Sequence, residues 1–251
     1  MKFSVLKEKA IIKDYTAILP AISTGNVGQL TIDLLIASTS AKKIATFWHP
    51  GILSVVGHNA FDSNSSEVTH SFEVYASEKC CLVFFQLRSP ILKNFEDEFK
   101  DLIYTYLIKE QVKELIILAS ALDIKKFESQ VIYPDSVRYS LGIKSRPETA
   151  QNLRALKCIE LENNETEDLK EDPALRLVLK LIDHCNKNDY SCILLLKYCG
   201  EGDTTDHAHS VAYLLDGMYH MLSQQTDNPP KFKIPPSWDL IFGNHTAENL
   251  Y

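Results

Sequence analysis

Tyr15-Thr-Ala-Ile-Leu-Pro-Ala-Ile-Ser-Thr-Gly-Asn-Val-Gly-Gln-Leu30 is the stretch whose reading decides the fold. Its first half, to Ile22, is a short apolar run of strand length. Ser23 to Gly28 then supplies turn residues, and Val27, Leu30, Leu34 and Leu35 recur at helical spacing on one face. Strand, glycine-containing turn, buried helix is the opening of an α/β unit. Working outward, Lys43 to Trp48 is a second strand candidate. Ser71 to Ala76 and Cys80 to Arg88 form a hairpin around Ser77-Glu78-Lys79. The second arm is apolar on both faces at its centre, as in a strand covered on both sides. Phe95, Phe99, Leu102, Ile103 and Tyr106 predict an amphipathic helix over 94–110, and Glu114 to Ala119 a buried strand. Residues 120–148 read mostly as loop with a short strand.

Further on, Asp172 as N-cap and Pro173 at the first helical position start a helix whose stripe is Ala174, Leu177, Val178, Leu181, Ile182 and Cys185. Ser191 to Tyr198 is another buried strand. Val211, Leu214, Leu215, Met218 and Leu222 mark a last helix. Buried strands alternating with amphipathic helices predict an α/β fold, a mostly parallel or mixed sheet with helices on both faces. No repeat or linker divides the chain, so one domain over 1–251 is expected, with an acidic insertion loop around 160–172 and a Pro-rich C-terminal segment over 227–251.

The 251 residues carry a net charge of −7. Glu160, Glu162, Glu165, Glu167, Asp168, Glu171 and Asp172, against Lys170 alone, contribute −6 of it. That stretch reads as a solvated face. No basic stripe is visible, so neither nucleic acid nor an anionic membrane is an expected partner. No run approaches the roughly 20 apolar residues that span a bilayer, and Met1 to Lys13 lacks the apolar core of a secretory signal. The expected location is cytoplasm and nucleus, which makes the sequons at Asn64, Asn164 and Asn244 chance matches. The six cysteines, at 80, 81, 158, 185, 192 and 199, contain no C-x-x-C pair. They read as reduced structural thiols, with Cys80 and Cys81 on a strand and pointing to opposite faces.

Chemistry-bearing patterns are sparse. The turn at Ser23–Gly28 is the most enzyme-like, because a glycine turn between strand and helix can aim backbone N–H groups at a phosphate. Gly25 and Gly28 complete only part of a dinucleotide-binding pattern and no P-loop lysine follows. A structural turn is the stronger reading. Glu201, Asp203, Asp206, His207 and His209 mix carboxylates with imidazoles, but His207 and His209 stand two apart and do not share a helix face. They read as the opening of the last helix. Asp33 is an acid inside an otherwise apolar helix, and Arg88-Ser89 closes a strand. No metal or cofactor is expected. In the tail, Ile234 to Gly243 places Trp238 and Phe242 among prolines, as anchors onto the body or onto a partner. Leu250-Tyr251 is a terminal pair that a pocket on another protein can capture.

Leu19 to Leu30, Phe85-Gln86-Leu87-Arg88-Ser89, Leu196-Lys197-Tyr198 with Glu201-Gly202-Asp203, and Ile234 to Gly243 together resemble the PAC2 family of proteasome assembly chaperones. The blocks fall in the expected order over nearly the whole chain, and the acidic insertion is not part of the resemblance. The resemblance implies a non-enzymatic chaperone with a nucleoside phosphorylase/hydrolase-like α/β fold. It implies pairing with a related chain, proteasome assembly chaperone 1, as a heterodimer. It further implies binding of core-particle α-subunits, promotion of α-ring assembly and suppression of off-pathway ring dimers. Related chaperones dock a hydrophobic-Tyr-any tripeptide between α-subunits. Leu250 and Tyr251 match its first two positions and no third residue follows. Partner-binding candidates are therefore Leu250, Tyr251, Trp238 and Phe242. The competing expectation is a nucleoside phosphorylase-like or hydrolase-like enzyme using the Ser23–Gly28 turn.

Overall fold

The computed structural model describes residues 3–4, 10–122, 136–162, 169–170, 172, 175–222 and 231–240. In chain order the elements are β1 (Phe3–Ser4), β2 (Thr16–Pro20), α1 (Val27–Thr39), β3 (Lys42–Phe47), β4 (Val56–His58), β5 (Val68–His70), β6 (Phe72–Ser77) and β7 (Leu82–Leu87). They continue with α2 (Glu96–Lys109), β8 (Glu114–Leu122), β9 (Arg138–Leu141), α3 (Pro147–Ala155), β10 (Ile159–Glu160), α4 (Arg176–Lys187), β11 (Cys192–Cys199) and α5 (Thr205–Tyr219). Among the described residues nine strands form one sheet in the order β1-β3-β6-β7-β2-β8-β11-β9-β10, and β4 with β5 makes a separate two-stranded ribbon. The sheet is mixed. β7, β2, β8 and β11 are parallel neighbours. β1, β3, β6 and β7 are antiparallel neighbours, and β9 runs antiparallel to β11 but parallel to β10.

The central strands read as apolar runs because both of their faces are covered. Along β8, Leu115, Ile117, Ala119 and Ala121 join the core under α2 and α4, while Ile116 and Leu118 join the core under α1 and α5. Each large side chain withdrawn from water in this way contributes about 1.5–3 kcal/mol. α1 is buried almost all round, since it lies between the sheet and α5; a single apolar face was expected, and Leu30 is only half-buried. Thr31 Oγ1 donates to Val27 O at 2.8 Å and to Ala208 O at 3.2 Å, joining α1 to α5. The close approach is made at Gly28, where a Cβ would stand 3.1 Å from both Leu118 O and Pro20 Cβ.

In finer detail the structure and the sequence reading compare as follows. Cys80 and Cys81 lie in the β6–β7 turn, with Cys81 at φ 53° and its N–H on Glu78 O; the strand begins at Leu82. α4 is described from Arg176; the Asp172 carbonyl accepts from Leu175 N and Arg176 N, the second being the bond an N-cap carbonyl makes, and Pro173 and Ala174 of the expected helix start lie outside the described residues. The short strand expected within 120–148 is β9, and α3, which buries only Leu153, lies almost wholly in a stretch the sequence reading left unassigned. Glu160, counted with the acidic loop, is in β10, where its carboxylate takes Arg154 at 2.8 Å. Residues 163–168 of the acidic stretch lie outside the described residues. None of the six cysteines is in a disulfide, and burial pushes the Cys158 thiol up to about 11. Among the described residues no helix is long and apolar enough to cross a membrane.

Candidate functional site

The glycine turn sits over the carboxyl ends of β2, β8 and β11. Gly25 takes φ 64° and Asn26 φ 51°, the left-handed region that glycine tolerates and asparagine visits. Two of the turn's carbonyls accept from its surroundings. Ser120 Oγ donates to Thr24 O, Thr204 Oγ1 donates to Gly25 O, and Asn26 N–H is spent on Ser23 O at 3.0 Å. Ser23 Oγ accepts from Ser120 N at 2.9 Å and meets Ser120 Oγ at 2.9 Å. The space over Gly25 is filled: a Cβ there would collide with Thr204 Cγ2. An anion cradle needs open N–H groups, whereas this turn is a closed junction of α1, β8 and the start of α5. The structural-turn reading accounts for both glycines, Gly25 by its φ and Gly28 by its contact with the sheet.

Two buried carboxylates organise the other side of α1. Asp33 Oδ1 accepts from Gln86 Nε2 at 2.6 Å and from Arg88 Nη2 at 2.8 Å. Gln86 also donates to Gln29 O at 3.1 Å, and the Arg88 guanidinium carbon stands 5.9 Å from the centre of the Phe61 ring. Alternation along β7 makes this possible: Gln86 and Arg88 face α1, while Phe85 and Leu87 enter the opposite core. On β6, Glu73 is 0% exposed and accepts from Lys43 Nζ at 2.9 Å, Tyr75 Oη at 2.7 Å and His70 N at 3.1 Å. Burial, then the neighbouring Glu73, holds the Tyr75 hydroxyl far above its usual range. These paired charges fix the α1–β7 and β3–β6 registers, with Gln86 Oε1 and Arg88 Nε left buried without a hydrogen-bond partner. None has an arrangement of nucleophile and general base.

The helix after β2 covers one face of the sheet and the helix after β7 covers the other, so the β2/β7 boundary is a switch point, where α/β sheets open a crevice at their carboxyl ends. A cavity of about 280 Å³ lies there, walled by Leu19, Ile22, Leu87, Ile91, Phe99 and Leu181. Its only charged lining residues among those described are Lys93, Glu96 and Arg176. Glu96 accepts from Arg176 Nη2 at 2.6 Å and pairs with Lys180 at 3.1 Å, and the Arg176 hydrogen bonds hold its carboxyl below the usual range. On the same edge His49 is buried. Its Nδ1 accepts from Gly51 N at 3.0 Å, its Nε2 is 3.9 Å from Glu98, and burial lowers its pKa. The pocket is apolar, with no acid–base pair aimed inward.

The remaining sequence candidates are placed as follows. Asp203 Oδ1 accepts from Thr205 N at 2.9 Å and Thr205 Oγ1 at 2.6 Å, so it folds the turn that leads into α5. Among the described residues no group of three His, Cys, Asp or Glu side chains could hold a metal ion. Trp238 lies in a single turn of 3₁₀ helix over Pro236–Leu240, half-buried, with its ring 6.1 Å from His209 of α5. Phe232 is buried beside Tyr213 at 5.1 Å, and Lys233 N donates to Ser38 Oγ at 2.8 Å, so residues 231–240 lie across α1 and α5. Phe242, Leu250 and Tyr251 lie outside the described residues. The sequence reading missed the Asp33–Gln86–Arg88 set, although Asp33 in an apolar helix was its visible sign, and it missed the cavity.

The PAC2 family model matches residues 17–201, from β2 to the residues beyond β11. The chain belongs to the PAC2 family. This family match takes in the glycine turn, the Asp33–Gln86–Arg88 set and the cavity. Among curated proteins the chain is 28% identical to Proteasome assembly chaperone 2 of Danio rerio, over 95% of each chain. It is 29% identical to the protein of the same name from Xenopus tropicalis, over 94% of this chain and 95% of that one. Among solved structures it resembles PbaA of Pyrococcus furiosus, described as an archaeal homolog of proteasome-assembly chaperone. The TM-score is 0.64 at 15% identity, over 87% of this chain and 82% of that one. At that identity the likeness speaks for the fold, and it places this mixed α/β sheet among the folds of PAC2-family relatives.

Proposed function

We propose that this PAC2-family chain is a non-catalytic proteasome assembly chaperone. It pairs with proteasome assembly chaperone 1 as a heterodimer, binds α-subunits of the core particle, and promotes α-ring assembly in the cytoplasm and nucleus. The observation that carries this reading is the similarity over 95% of both chains to a protein named Proteasome assembly chaperone 2. The geometry supports it. The enzyme-like turn is filled by Thr204 and Ser120, and the crevice at the switch point is apolar. A chaperone of this kind needs a lasting, apolar face for its partner and a weaker face that lets go when the ring matures. The segment beyond Leu240, with Phe242, Leu250 and Tyr251, serves the weaker face. The test is co-production of α-subunits with and without the pair. The pair raises the yield of α-rings, and removing residues 241–251 reduces α-ring capture while pairing persists. Equal ring yield without the pair contradicts the function, and unchanged capture after the truncation removes the tail from it.

A further inference from the structure

Half of the large apolar side chains exposed among the described residues fall on one edge of the sheet. β3 and β7 run in the same direction, each antiparallel to β6, so their carboxyl ends meet the start of β6 on the edge that also holds the cavity. The connections that leave this edge carry Trp48 (60% exposed), Leu53 (56%), Val55, Val56 (64%), Val68 and Leu92. Leu53, Val55 and Leu92 are tied together, while Val68 stands further back, its carbonyl accepting from Lys43 Nζ at 2.9 Å near the start of β3. Ile52 bridges Ile91, Leu92 N donates to Gly51 O at 2.8 Å, and Ser71 Oγ links Leu53 O and Val55 N, each at 2.6 Å. The β4–β5 ribbon turns Thr69 inward, where it accepts from Ala60 N, and leaves Val56 and Val68 outside. On that outer face Val56 and Val68 stand opposite His70 and His58, and a two-stranded ribbon is only marginally stable in water without cover.

We propose that this edge is the face that holds the second chaperone chain, and that an apolar side chain of that chain fills the cavity beside Ile91. This rests on the pairing proposed above. The area fits the occupant. The six side chains hold out roughly 500 Å², taking large side chains at about 150–250 Å² or somewhat less. A standard interface of about 800 Å² per partner, roughly 60% apolar, needs about as much. The apolar character suits a lasting partner better than a subunit that must release. At about 280 Å³ the cavity is roomier than one side chain needs and just under the roughly 300 Å³ at which ligand pockets begin, so it admits an anchoring apolar group of the partner.

The experiment co-expresses the chain with the proteasome assembly chaperone 1 of the same organism and follows dissociation on dilution by native mass spectrometry. Leu53→Asp with Val56→Asp, both on exposed positions, weakens pairing about a hundredfold; Leu177→Trp, which fills the cavity from the half-buried side of α4, weakens it about tenfold. Ile143→Asp, 76% exposed on the amino edge beyond β9, changes it less than about twofold, and thermal unfolding of each single chain checks that the fold stands. Wild-type pairing that survives Leu53→Asp with Val56→Asp overturns the surface and leaves the pairing intact. Absence of wild-type pairing overturns the reading beneath it. Loss of self-association or of α-subunit binding, with chaperone pairing kept, gives the face to a second copy or to the proteasome and overturns the assignment.

Discussion

Gly25→Ala is expected to destabilise the fold by about 2–3 kcal/mol. At φ 64° a side chain adds about 1–2 kcal/mol of left-handed strain, partly offset by the roughly 0.4–1 kcal/mol that alanine removes from unfolded-chain entropy. The larger share is steric, because the new Cβ meets Thr204 Cγ2 inside a closed junction, and overpacking of that kind costs about 1–3 kcal/mol. Thr204→Ser deletes the obstructing methyl and keeps the Oγ1 that donates to Gly25 O. Combined with Gly25→Ala it should recover the steric share, a coupling of about 1–3 kcal/mol between the two positions. Urea unfolding followed by far-ultraviolet circular dichroism measures the cycle. Thermal unfolding of Gly25→Ala should fall by about 4–12 °C for a chain of this size. A Gly25→Ala protein within about 0.5 kcal/mol of wild type, or strictly additive substitutions, would refute the closed junction and return the turn to the status of an open cradle.

Asp33→Ala leaves Arg88 and Gln86 facing an empty place in a buried layer; because Arg88 is partly exposed, the loss is about 1–3 kcal/mol rather than the 3–5 kcal/mol of a fully buried pair, read from urea midpoints. His49 has a lowered pKa, because burial favours the neutral ring and Gly51 N–H needs a bare Nδ1, although Glu98 pulls the other way. The unfolded chain therefore binds the proton first. The stability that His49 contributes is complete above about pH 6.5 and is lost as pH falls below it, and His49→Asn should flatten unfolding midpoints over that window.

Much of the architecture was legible because it rests on long apolar patterns. β8 and β11 announce themselves as runs covered on both faces, and the Leu177–Cys185 stripe of α4 repeats at helical spacing. α3 was not legible, since a nine-residue helix that buries only Leu153 has no stripe to read. At the start of α4, the Asp172 carbonyl takes Leu175 N and Arg176 N, and Pro173 and Ala174 lie outside the described residues. At the site, Gly25 and Gly28 were visible, but the side chain that fills the turn is Thr204, 179 residues away in sequence. Asp33 stood out as an acid in an apolar helix, but only the β7 register sets its partner Arg88, 55 residues away, beside it. The apolar edge is likewise a product of topology: Leu53, Val56 and Leu92 belong to separate connections that only the sheet order brings together.

Native capture of the tagged endogenous chain, with mass spectrometry of the intact complex, tests the central claim most directly. The account predicts a one-to-one pair with proteasome assembly chaperone 1, carrying proteasome α-subunits in the heavier species. A lone chain, or a homo-oligomer without α-subunits, would contradict it.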